Sequence, residues 1–397
     1  MSTTIVQPKQ RIQSIDMLRG IVMLIMALDH VRDFLHVTAS TDSPTNLDTT
    51  TPQLFFTRWI THFCAPAFVF LSGTSAFLAG QKKSKKELSS FLITRGLWLV
   101  FVENIVITLA ITFNPLYNLL IWQVIWAIGW SMVILGILAH TSIKLITVAG
   151  IIIVFGHDLF DYVQLPQAGT GHVLMSIFFR AFFTILPVDQ SHAILDLYAI
   201  IPWAGVMLVG YSFGQFFSPK YNEVKRRKII LTVGFAVTIF FILIRFINAY
   251  GDPTHWSTQK NTLYTFLSFL NCSKYPPSLC YLSMTVGPAL IFLSLIESVR
   301  NRFTNVVSMY GRAPFFYYVV HFYLIHAICV IFFYLTGHTS KDIVDVNTPF
   351  LFRPQHFGFN LWIVYIIWLF VIVVLYKPCK WFDQYRRNHR QWWLSYL

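Results

Sequence analysis

Three histidines, His30, His62 and His321, lie within or at the ends of long apolar runs of this 397-residue sequence. An imidazole titrates near neutrality, so it can take and return a proton or attack a carbonyl carbon. Ionisable groups at membrane depth cost roughly 2.5 to 3.5 kcal/mol each, which makes such positions candidates for chemistry. His30 follows Asp29 and stands eleven residues after Arg19, a spacing that returns to nearly the same helix face. Arg19 reads either as an anion anchor on that stripe or as a cation snorkelling to the interface. Asp29 reads either as the partner that orients His30 or as the neutraliser of Arg32 or Arg58. His62 precedes Pro66 by four residues, and a proline there frees a backbone carbonyl and bends the helix, making room for a ligand or only a packing kink. His321 has Tyr317 and Tyr318 four and three residues before it, on its own helix face. His326 falls about 140° round the helix from His321, so the two are not an i, i+4 metal pair, and no metal site is expected.

These residues need a scaffold, and composition says which solvent it meets. The chain is 55% hydrophobic and 17% aromatic but 12% charged, whereas soluble domains carry roughly 25% charged residues. Its apolar residues cluster in runs of about twenty, enough to cross a hydrocarbon core of about 30 Å. The formal charge of +13 is gathered between those runs, as at Lys82, Lys83, Lys85 and Lys86 and at Lys220 to Lys228. That pattern sets topology and does not indicate nucleic-acid binding. Met1 to Arg11 is polar, without the apolar core of a cleavable signal, so this segment is expected to be retained.

Placing the basic loops in the cytoplasm predicts an all-α polytopic bundle of about ten spans with both termini cytoplasmic. The spans run from about Ile15 to Leu35, Trp59 to Gly80, Phe91 to Phe113, Leu119 to His140, Ile146 to His157, Leu197 to Phe217, Ile229 to Ile247, Tyr281 to Ser298, Pro314 to Leu335 and Phe359 to Tyr376. Val173 to Leu186 is read as an interfacial or re-entrant helix, because a full crossing there would invert every later basic loop. In the sixth span Gly205, Gly210 and Gly214 permit close packing, and Pro202 and Trp203 border its outer end. Cys272 and Cys280 flank the outer loop before the eighth span, as a disulfide or as two free thiols. No internal repeat is visible, and the chain reads as one domain. The sequence leaves the oligomeric state, including a homodimer, open.

Several blocks together resemble bacterial relatives of heparan-α-glucosaminide N-acetyltransferase, within the transmembrane acyltransferase superfamily. They are Ser14-Ile15-Asp16-Met17-Leu18-Arg19-Gly20, Asp29-His30, His62 to Gly73, Pro202-Trp203 to Gly214, and Gly311-Arg312-Ala313-Pro314 with His321. The resemblance implies transfer of an acetyl or acyl group from acetyl-CoA to an amine or hydroxyl of an extracytoplasmic sugar or glycan, in a bacterial inner membrane. The lysosomal relative has its catalytic histidine in the loop after the first span, which makes His36, rather than His30, the nearest counterpart by position. On this reading His30 with Asp29, or else His62, activates the acceptor, directly or through an acyl-histidine. His321 with Tyr317 or Tyr318 holds the thioester carbonyl, and Arg19 and Arg312 meet the CoA phosphates. A transporter of a small polar solute and a metal-dependent membrane hydrolase are the rival classes.

Overall fold

The computed structural model describes residues 12–164, 166, 168–389, 391 and 394, so the polar stretch Met1 to Arg11 lies outside the described residues. Among the described residues, fifteen α-helices follow in chain order: α1 (Gln13–Leu35), α2 (Pro52–Thr61), α3 (Cys64–Gly80), α4 (Lys85–Val102), α5 (Thr108–Thr112), α6 (Val124–Leu138), α7 (Ile143–Gly156), α8 (Gly169–Phe178), α9 (Ile200–Phe213), α10 (Glu223–Ile247), α11 (Thr262–Leu270), α12 (Leu279–Ile296), α13 (Arg302–Arg312), α14 (Pro314–Leu335) and α15 (Leu361–Asn388). A π-helical turn, Glu103–Ile107, joins α4 to α5. Among the described residues, eight helical segments are long and apolar enough to cross a membrane. The other two predicted spans coincide with α6, apolar but only 15 residues long, and with α1, which carries Asp16, Arg19, Asp29, Arg32 and Asp33. The protein is an all-α integral membrane protein.

Two expectations fail locally. Val173 to Leu186 is not one helix: α8 stops at Phe178, and Thr184–Pro187 is strand β2. The fourth predicted span does not begin as helix either, because Leu119–Trp122 is strand β1. With β3 (Ala193–Asp196) these strands form a three-stranded sheet, ordered β1-β3-β2, in which β1 and β3 are parallel and β2 and β3 antiparallel. An apolar run such as Leu119-Leu120-Ile121-Trp122 fits a buried strand as well as a helix, and length alone decides.

Close helix contacts rest on small residues, as expected where lipid supplies no hydrophobic drive between helices. A Cβ added at Gly20 of α1 would lie 2.0 Å from the Val307 carbonyl oxygen, and one at Gly311 would lie 1.8 Å from that of Asp16. The backbones of α1 and α13 are thus in direct contact. Gly20→Ala is expected to push them apart and destabilise the detergent-solubilised protein by more than the ~1–3 kcal/mol of ordinary overpacking, read as a lower thermal midpoint.

The α2–α3 break follows from Pro66. Lacking an N–H, Pro66 leaves the His62 carbonyl without its helical partner, and that oxygen accepts the Tyr281 hydroxyl of α12 at 2.8 Å instead. The kink expected from the sequence thereby docks His62 against α12, with its ring edge-on to Tyr281 at 5.4 Å.

Helices α1 and α14 run parallel. Cys329 Sγ lies 3.9 Å from the Phe34 carbonyl oxygen, and the Phe34 ring contacts His326 at 4.9 Å. One turn of α1 earlier, this alignment brings His30 beside His321.

Candidate active site

His30 Nδ1 lies 2.6 Å from His321 Nε2, although the two residues are 291 positions apart. His321 is fully buried, and its Nδ1 lies 3.0 Å from the Tyr317 carbonyl oxygen. A carbonyl can only accept, so Nδ1 of neutral His321 carries the hydrogen and Nε2 is left as an acceptor. His30 must then donate through Nδ1. Its Nε2, which has no protein partner among the described residues, keeps a lone pair. Phe322 stacks on the His30 ring at 4.2 Å and limits its rotation.

His30 lines a cavity of about 800 Å³, within the usual range for small-molecule sites. The end of α1, the α2–α3 break with His62, the start of α6 with Gln123, the β3 exit with Tyr198, and the loop before α12 with Lys274 and Tyr275 all contribute to its wall. His62 is buried here, and its Nδ1 has no hydrogen-bond partner among the described residues.

Asp29 lines the same cavity but does not orient His30. Its Oδ1 accepts from Arg32 Nη2 at 2.9 Å, and its Oδ2 is paired with Arg58 Nη1. Consecutive helix residues point about 100° apart, so Asp29 faces α2 while His30 faces α14. The plainer reading of Asp29, neutralising Arg32 and Arg58, is the one realised.

Other anticipated residues stand elsewhere. Arg19 contacts Ser75 Oγ at 2.8 Å and the Gly311 carbonyl at 3.3 Å, about 16 Å along α1 from His30 at 1.5 Å per residue. Arg312 is paired with Asp383 of α15, Nη2 to Oδ2 at 2.9 Å. Neither lines the cavity, so both form helix junctions rather than a phosphate site there. Tyr317 and Tyr318 do flank His321, with ring centroids 5.4 and 5.6 Å away. They pack behind it, outside the cavity wall, with buried hydroxyls that lack partners among the described residues. Neither tyrosine lines the cavity, and His321 Nε2 is already occupied by His30. Trp203 is buried one layer back, its ring 5.2 Å from that of Tyr198. His36 caps α1 with Nδ1 3.0 Å from Thr38 Oγ1, off the cavity. Cys272 and Cys280 are buried free thiols.

Reading from sequence missed Lys274, Tyr275 and Gln123, which had no signal beyond loop position. It also passed over Glu103, a fully buried carboxylate in an apolar run that the same membrane-cost rule marks. Glu103 Oε1 accepts the Gln123 backbone N–H at 2.7 Å, tying the π-helical turn to the start of α6.

The sequence profile of the family described as heparan-alpha-glucosaminide N-acetyltransferase, catalytic, matches residues 11–244, more than half of the chain. The chain belongs to that family. The N-acetyltransferase match takes in Asp29, His30, Arg58 and His62, whereas Lys274 and His321 lie beyond it. No curated protein matches the chain. Membership in the heparan-alpha-glucosaminide N-acetyltransferase family makes this membrane protein an enzyme of acetyltransferase type.

Asp196, in β3 beside the cavity, is fully buried, and its Oδ2 accepts from Ser176 Oγ at 2.9 Å while Oδ1 has no hydrogen-bond partner among the described residues. Burial pushes its carboxyl up from 3.8 to about 6. The unfolded chain loses this proton first, so stability falls as pH climbs from about 4 to about 6. Asp196→Asn removes that charge and is expected to stabilise the protein by about 3 kcal/mol at pH 7 and negligibly near pH 4, in paired thermal-unfolding scans.

Proposed function

We propose that this protein transfers an acetyl group from acetyl-CoA to an amine or hydroxyl of a sugar or glycan, with His30 as the general base. The single observation carrying this reading is the His30–His321 contact of 2.6 Å at the wall of an 800 Å³ cavity. His321 holds the His30 Nδ1–H and thereby aims the Nε2 lone pair at bound substrate. Nε2 takes the acceptor's proton as its nitrogen or oxygen bonds to the thioester carbonyl carbon. The tetrahedral intermediate expels the CoA sulfur, and the proton on Nε2 passes to that leaving thiolate. Of the donors on the wall, Gln123 and Tyr275 are the candidates for the transient oxyanion. His62, on the adjacent wall, positions the acceptor.

The reading further places both termini in the cytoplasm of a bacterial inner membrane. His30 then stands toward the outer face, because α1 starts at the cytoplasmic end and His30 lies in its last two turns.

The test incubates purified protein in detergent with acetyl-CoA and a panel of amino sugars and neutral sugars, and follows acetylated product by mass spectrometry. Acetylation of an amino sugar or a sugar hydroxyl is expected. Binding of a sugar without acetylation of any acceptor would favour a transporter instead.

A further inference from the structure

The cavity also contains a cluster of charge that proton transfer at His30 does not use. Asp29 bridges Arg32 and Arg58, and Asp33 accepts from Arg32 at 2.6 Å. Two carboxylates thus face two guanidiniums. Lys274 lines the same wall, and among the described residues no carboxylate lies within ion-pair distance of its ammonium, which sits 5.1 Å from the Tyr275 ring centroid. Asp42, at the cavity rim, turns into its own loop, where it accepts from Asn46, Thr49 and the Ser43 backbone N–H. Arg58 commits only Nη1, to Asp29, and among the described residues its remaining donors have no partner. The inner cavity is left with one uncompensated cation and a guanidinium with donors to spare.

Lys274 is held in place rather than trailing from a mobile loop. Arg245, a buried cation at the end of α10, donates to the carbonyls of Thr254, Ser268, Phe269 and Asn271 at 2.8 to 3.1 Å. Asp252 accepts the Ser273 N–H at 2.9 Å and the Ser278 hydroxyl at 2.6 Å. The backbone on both sides of Lys274 is thereby anchored before any ligand arrives, which reduces the ordering cost of binding. A half-buried ammonium and a guanidinium lining one cavity form a donor set that recognises a phosphate, carboxylate or sulfate group.

We infer that Lys274 and Arg58 form an oxyanion-group subsite in the His30 cavity, which binds an anionic substituent of one of the two substrates. The inference rests on the acetyltransferase reading for its pairing of substrates. The group belongs either to the diphosphate of CoA or to an acidic substituent on the acceptor sugar.

The experiment is calorimetric and does not depend on turnover. Binding of CoA against pantetheine, and of glucosamine 6-phosphate against glucosamine, is measured for wild type, Lys274→Ala and Lys274→Arg. Lys274→Ala is expected to weaken one charged ligand at least about tenfold while its uncharged counterpart is unaffected, and Lys274→Arg to restore most of that affinity. Which pair responds identifies the source of the anion. Equal losses for charged and uncharged ligands, or no loss for either charged one, would overturn the subsite. Anion binding that needs Lys274 in a protein that acetylates nothing would leave the subsite standing and remove the acetyltransferase reading. Acetyl transfer with Lys274→Ala affinities unchanged would do the reverse.

Discussion

His30→Ala is expected to lower acetyl transfer by about 10² to 10⁴, the usual contribution of a positioned general base, while the thermal midpoint stays near that of wild type. The ring lies at a cavity wall and its Nε2 makes no hydrogen bond to protein among the described residues, so its removal costs the fold one hydrogen bond, to His321. The cavity of about 800 Å³ is large enough to admit a small base. Added imidazole is therefore expected to recover part of the lost rate in His30→Ala. His321→Phe keeps a ring but removes the acceptor that aligns His30, and should lose on the order of 10²-fold, as a misaimed reacting group does. Imidazole should not rescue that variant. Full activity in His30→Ala would remove the proposed base.

Asp29→Ala is expected to act on the fold as strongly as His30→Ala acts on the rate. Asp29 and Arg32 are nearly inaccessible, Arg58 is 13% exposed, and the carboxylate serves both guanidiniums. Deleting it leaves Arg58 without a counter-charge and Arg32 with Asp33 alone, and breaking a buried pair from one side costs about 3–5 kcal/mol. The expected result is poor recovery from the membrane and a much lower unfolding midpoint. Asp29→Asn, which keeps the shape and an acceptor oxygen, should fall between Asp29→Ala and wild type. An unchanged midpoint in Asp29→Ala would show that the α1–α2 junction does not depend on this pair.

The helical framework was legible because lipid is an unforgiving solvent. Every backbone polar group in a span must be satisfied internally, so long apolar runs become helices wherever they occur. The same rule drew attention to His30, His62 and His321, which sit at or beside one cavity. The hydrogen bond that pairs His30 with His321 was not legible, since nothing in either run names its partner 291 positions away. The errors have the same origin. Sequence adjacency places Asp29 beside His30, although neighbours on a helix diverge. Arg312 looked available as a phosphate ligand because its carboxylate, Asp383, lies 71 residues further on. The sheet escaped notice because its pairings, such as Leu119 with Ala193, join short apolar segments far apart in the chain. Lys274 drew no attention because loop lysines are common, and only the fold shows that it reaches the cavity.

The most direct test of the central claim is release of free thiol from acetyl-CoA by the purified wild-type protein, measured with and without an amino-sugar acceptor. Thiol release is expected to depend on acceptor and to be nearly abolished in His30→Ala. No release with any acceptor, together with no heat of acetyl-CoA binding, would contradict that claim.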